Sequence, residues 1–193
     1  MHLSKRAEYG IRVMIHLGMA RELGVESVSG RELADADRLP LKYVERILQQ
    51  LRDAGLVATR RGAQGGYGLA ADPQGIRIGD LVRLIDGRLA PISCASETAY
   101  QKCTCPDEAH CGLRMLMIDV RNAVAGILDR YSVAQVVEVT LRKMRRDGIT
   151  PPLAHLGIPE DVTVEGRRKA DPADGFLAGL SQLGIDDELE VSR

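Results

Sequence analysis

The stretch PLKYVERILQQLRDAGLVATRRGAQGGYGLA, residues 40–70, decides the fold. Pro40 suits the first turn of a helix, where its fixed φ is preorganised and its missing N–H is not needed. Leu41, Val44, Leu48 and Leu51 then form one apolar stripe, and Gly55 supplies a left-handed stop, so a helix is predicted over 40–54. Two short β-like runs follow, 56–59 and 67–70. Between them lies Arg60-Arg-Gly-Ala-Gln-Gly-Gly66, whose glycines permit the backbone of a hairpin turn.

Upstream, Ser4 can cap a helix carrying Ala7, Ile11, Met14, Ile15 and Gly18 on one face, with Gly24 as its stop. Ser29 and Glu32 have the spacing of a capping box, which opens a short second helix reaching Ala36. Three helices followed by a basic, glycine-rich hairpin make a winged helix-turn-helix. In that fold the last helix enters the DNA major groove and the hairpin touches the backbone or the minor groove. With the apolar stripe turned inward, Lys42, Tyr43, Glu45 and Arg46 occupy the exposed first turns of the third helix. Arg46 suits guanine, Glu45 suits cytosine, and Lys42 and Tyr43 suit phosphates or a base. Arg60, Arg61 and Gly62 begin the hairpin turn, where arginines and free backbone N–H groups suit phosphate or minor-groove contact.

Downstream, residues 80–86 read as a short helix with Leu81, Leu84 and Ile85 inward. From Leu113 the apolar positions run Met117, Val120, Val124, Ile127 and Tyr131, alternating steps of four and three as in a coiled-coil seam. This is a candidate dimerisation helix; packing against its own domain is the other reading. Ser132 and Gln135 form another capping-box pair, opening a helix to about Arg146. Pro151, Pro152, Pro159 and Pro172 interrupt the rest, leaving an extension with at most a short helix over 176–183. The chain therefore divides into a DNA-binding domain (1–87), a cysteine loop (88–112), a dimerisation helix with its successor (113–146) and an extension (147–193). The fold class is mainly α with a small β-hairpin wing.

Composition agrees with that class. One Phe and no Trp in 193 residues leave the core to Leu, Ile, Val, Ala and Met. The net charge of -1 hides a segregation: residues 38–70 carry a local +4 and residues 160–193 a local -5. No run of 18 apolar residues occurs and the start is polar and basic, so membrane insertion and export are not expected and a cytoplasmic location is. In that reducing compartment four cysteines confined to 94–111 point to metal binding or redox chemistry rather than structural disulfides.

The motifs Ser4-Lys-Arg-Ala-Glu-Tyr-Gly10, Leu41-Lys-Tyr43, Ala54-Gly-Leu-Val57 and Arg61-Gly-Ala-Gln-Gly-Gly-Tyr67 resemble the IscR/NsrR-type regulators over roughly residues 1–145. The resemblance implies a homodimeric winged-helix transcription factor binding a roughly palindromic operator. In many members an iron-sulfur cluster controls DNA affinity; others use cysteine chemistry or a protein partner. It also places Lys42, Tyr43, Glu45 and Arg46 on the recognition helix and Arg61 on the wing.

Cys94, Cys103, Cys105 and Cys111 are the candidate ligands. The five-residue interval between Cys105 and Cys111 follows the family, whereas the interval from Cys94 is longer and one cysteine is extra. Thiolates suit a [2Fe–2S] or [4Fe–4S] cluster and also zinc. A CxC with longer intervals leans away from the paired CxxC of structural zinc sites. Glu8, Asp107, Glu108 and His110 are further candidate ligands, Glu8 because some similar regulators recruit a side chain from the first helix. Arg114 stands where some relatives carry a ligating histidine. The leading reading is a DNA-binding regulator controlled by a cluster. The alternatives are the same fold switched by thiol oxidation or zinc, and a thiol or interaction module that does not bind DNA. With neither a CxxC motif nor a nucleotide-binding loop, an enzyme is not expected.

Overall fold

The computed structural model describes residues 3–62, 65–87, 89–156 and 175–176. Among these, helices α1 (Lys5–Glu22), α2 (Gly30–Asp37) and α3 (Leu41–Asp53) precede strands β1 (Val57–Arg60) and β2 (Gly66–Leu69), and α4 (Ile78–Asp86), α5 (Gly112–Arg130) and α6 (Val133–Arg146) follow. Short 3₁₀ turns occupy Ser93–Ala95 and Ala154–Leu156.

The helix ends follow from local chemistry. Ser4 Oγ accepts from the Ala7 N–H at 3.1 Å, satisfying a donor that the helix start leaves orphaned. Capping boxes open α2 through Ser29 and Glu32 and α6 through Ser132 and Gln135. Gly24 follows α1 in a left-handed conformation. Pro40 is the cap of α3 rather than part of its first turn, its carbonyl accepting from the Tyr43 and Val44 N–H groups.

The core joins α1 to α2, α3, α4 and α6. Val13, Met14 and Leu17 of α1 pack with Leu33 of α2, Val44, Ile47, Leu48 and Leu51 of α3, Leu81 of α4 and Val133 and Val137 of α6. The wing is antiparallel, with Val57 opposite Leu69 and Arg60 opposite Gly66. Val28 adds a bridge on its far side, exchanging two backbone hydrogen bonds with Tyr67 at 2.8 and 2.9 Å. Gly66 and Gly68 permit that approach, since a Cβ on either would come within 2.5 Å of the Val28 or Glu26 carbonyl oxygen. The glycines of the wing thus serve strand docking as well as the turn.

The joint between α5 and α6 is stitched to the chain entering α4. The Ile78 N–H donates to the Tyr131 carbonyl at 3.0 Å, and the Val133 N–H to the Ile76 carbonyl at 2.9 Å. Helix α5 has no buried residue; Leu113, Leu116 and Ile127 are 59, 56 and 51% exposed. Tyr131, expected at the end of the seam, is instead beyond the helix and only 6% exposed, in the core of its own subunit. The expected helix over 176–183 falls outside the described residues except for Phe176.

Candidate nucleic-acid interface and cysteine loop

Helix α3 buries Val44, Ile47, Leu48 and Leu51, which turns Lys42, Glu45 and Arg46 outward. Gln49 and Arg52 extend this exposed face. The sequence reading missed Ile47, although its spacing of three from Val44 marks it as inward. Tyr43 differs from its neighbours: it is half-buried, with its ring edge-to-face on Tyr9 at 5.7 Å between centroids. That ring contact with α1 gives Tyr43 a part in seating the helix.

The turn before α3 is clamped from α1. Arg12 Nε donates to Asp37 Oδ1 at 2.9 Å, and His16 Nδ1 stands 3.4 Å from Asp37 Oδ2. Burial works against the Asp37 carboxylate, but His16 and Arg12 together hold its pKa below the ordinary value. Arg38, next in sequence, takes a left-handed conformation at φ 53°.

On the wing, Arg60 is exposed and ion-paired with Glu26, beside an open cleft of about 480 Å³ between α1 and β2. Arg61 and Gly62 are exposed at the turn, and Gly62 has φ 116°. Lys42, Glu45 and Arg46 on one element and Arg61 on another are therefore all presented to solvent.

The cysteine loop hangs on α5. Arg114 Nε donates to the Cys94 carbonyl at 3.0 Å and Arg121 Nη1 to the Ala95 carbonyl at 2.8 Å. Cys94 is buried in the 3₁₀ turn, Cys103 and Cys105 are half-buried, and Cys111 caps α5. The thiols interact pairwise. Burial first, then Cys103, raises the pKa of Cys94; hydrogen bonding to Cys103, then Cys111, pushes Cys105 up to about 11. Four soft donors in one loop are a donor chemistry that fits an iron-sulfur cluster or zinc. Among the described residues, however, no group of three or more His, Cys, Asp or Glu side chains is placed to hold a metal ion.

Glu108 is the candidate carboxylate that reaches one of these thiols. Cys103 Sγ donates to it at 3.8 Å, the Tyr100 hydroxyl lies 3.0 Å from both its oxygens, and Arg114 pairs with it at 3.2 Å. Asp107 and His110 are exposed and pair with each other at 2.7 Å. Glu8 pairs with Lys5 at 2.7 Å and Arg12 at 3.8 Å, both on its own helix.

The family model described as "Rrf2: Iron-dependent Transcriptional regulator" matches residues 3–139. The chain belongs to the Rrf2 family. An rrf2-like HTH-type transcriptional regulator of Rhodobacter capsulatus is 38% identical over 137 residues, covering 70% of this chain and 91% of that protein. The HTH-type transcriptional regulator NsrR of Shouchella clausii is 26% identical, covering 71% and 89%. The solved structure of CymR, the global cysteine regulator of Bacillus subtilis, superposes with a TM-score of 0.59 at 30% identity over 72% of this chain and 97% of that one. The winged-helix fold is therefore that of the Rrf2 regulators, and its relatives are transcriptional regulators rather than enzymes. No helix among the described residues is long and apolar enough to cross a membrane.

Proposed function

We propose that this Rrf2 regulator binds a roughly palindromic DNA operator as a homodimer, and that an iron-sulfur cluster held by the cysteine loop controls its affinity. The observation that carries the reading is that all four cysteines share one loop, whose Cys94 and Ala95 carbonyls are held by Arg114 and Arg121 of α5. Lys42, Glu45 and Arg46 read the major groove, with Tyr43 seating their helix, while Arg61 and the Gly62 backbone approach phosphates or the minor groove. Arg60 joins them once released from Glu26.

Cys94, Cys105 and Cys111 would hold the cluster, with Cys103 or Glu108 in the fourth position. When bound, the cluster supplies a thiolate-held redox centre. The residues' own part is mechanical. Arg114 and Arg121 transmit any rearrangement of residues 94–111 to α5, and Arg83 passes it to α4 through Asp129. The apolar face of α5 meets its copy in a second subunit, and a two-fold dimer requires two half-sites separated by about one helical turn or a multiple of it.

A thiol switch or zinc site in the same loop is the second reading, favoured by the four cysteines being free thiols. Protein purified without oxygen, assayed for iron, sulfide and zinc and scanned in the visible, separates the three. Iron and sulfide with broad visible absorption support the cluster. Zinc alone, or bare thiols that lose DNA affinity on oxidation, replaces it.

A further inference from the structure

The chain continues well beyond residue 139, where the family match ends, and its single phenylalanine lies in that continuation. Phe176 returns to the core, its ring edge-to-face on Tyr131 with centroids 4.7 Å apart. Tyr131 ends α5 and accepts the Ile78 N–H that ties α5 to α4, so Phe176 rests on the joint between the long helix and the winged-helix module. Beside it, Val139, Thr140, Met144 and Ile149 line an open, mainly apolar cavity of about 340 Å³. The intervening residues 157–174 can span up to about 60 Å when extended, ample to bring Phe176 back from Leu156.

The sequence after this anchor complements the cavity and its rim. In Phe176-Leu-Ala-Gly-Leu-Ser-Gln-Leu183, Phe176, Leu180 and Leu183 fall at i, i+4 and i+7, one face of a helix. Asp186, Asp187, Glu188 and Glu190 follow, and the last turn of α6 carries Lys143, Arg145 and Arg146. An apolar face followed by negative charge thus matches a mainly apolar cavity whose rim carries three basic residues against the one carboxylate of Asp147, which is paired with Arg146.

We propose that residues 176–183 dock on α6 of the same chain as an amphipathic latch. Leu180 enters the cavity beside Phe176, the acidic run 186–190 lies against the basic end of α6, and the latch braces the α4–α5 joint. A latch of this kind lets a segment outside the family match set how firmly α5 is coupled to the DNA-binding module.

Hydrogen exchange on the full-length protein tests it. Peptides covering 177–183 and 139–149 should exchange about tenfold more slowly in the wild type than in Phe176→Ser. Leu180→Ser should show the same local loss while α1 stays protected. Wild-type exchange of 177–183 at the rate of an unstructured peptide overturns the proposal, as does a Leu180→Ser profile identical to wild type. Carbodiimide cross-linking of dimers mixed from isotope-labelled and unlabelled chains should join Lys143 to 186–190 within one chain. Links between differently labelled chains would assign the latch to the partner and contradict docking in cis.

Discussion

Arg83 of α4 and Asp129 of α5 form a two-pronged ion pair, Nη1 to Oδ1 and Nη2 to Oδ2, both at 2.7 Å. It is the side-chain counterpart of the backbone stitch at Tyr131, and it packs over Gly79, where a Cβ would overlap Asp129 Oδ1. The pair raises the Arg83 pKa and lowers that of Asp129. Gly79→Ala should therefore break the contact between module and long helix without touching any residue assigned to DNA or cysteine chemistry. Arg83 and Asp129 are partly exposed, so the loss in stability should be about 0.5 kcal/mol, while operator affinity falls further. Equal operator affinity in Gly79→Ala and wild type would remove the pair from the coupling path.

The same pair gives a pH signature. Because the folded-state pKa of Asp129 is depressed, its contribution is fully present above the ordinary aspartate range near 4 and is lost as pH falls through the lower folded value. Thermal unfolding of wild type and Asp129→Asn should differ at neutral pH and converge in acid. A difference that persists below about pH 2 would show that packing, not charge, sets it.

On DNA the two elements should separate by kind. Arg61→Ala should weaken binding to all sequences and reduce the salt slope by about 0.9 if it holds one phosphate. Arg46→Ala should cost about 1–3 kcal/mol at one base pair and relax specificity there. Binding measured across salt concentrations and single-base operator variants distinguishes the two; uniform loss in Arg46→Ala would contradict base reading.

For the proposed dimer, the exposed face of α5 is centred on Leu113, Leu116, Val120 and Ile127, with Met117 and Val124 at its margin. Leu116→Asp should place an unpaired charge in the subunit contact and give a monomer in sedimentation. Val124→Asp should do less. The reverse order would place the seam through Met117 and Val124.

The helix starts were legible in the sequence, whereas the rotation of α5 within its own subunit was not. Caps at Ser4, Ser29 and Ser132 fix helix starts through bonds spanning three residues, so those ends could be read directly. The rotation of α5 could not, because steps of three and four from Leu113 lead equally to Leu116 or Met117. It is set by distant partners, with Arg114 and Arg121 reaching the 3₁₀ turn and Asp129 reaching α4. The Val28 bridge and the approach of Glu108 to Cys103 are also non-local, and only the folded chain brings them together. The outward face of α3, by contrast, needed only its own periodicity.

The central claim is that the cysteine loop governs DNA affinity through a cluster. Its most direct test is operator affinity, on DNA selected from a random pool, measured without oxygen for wild type and Cys105→Ser with iron and sulfide assayed in the same samples. The account predicts that Cys105→Ser loses iron, sulfide and visible absorption together and that its affinity shifts at least about tenfold, or 1.4 kcal/mol. A variant with wild-type iron, or one that loses its iron while binding DNA as the wild type does, would contradict it.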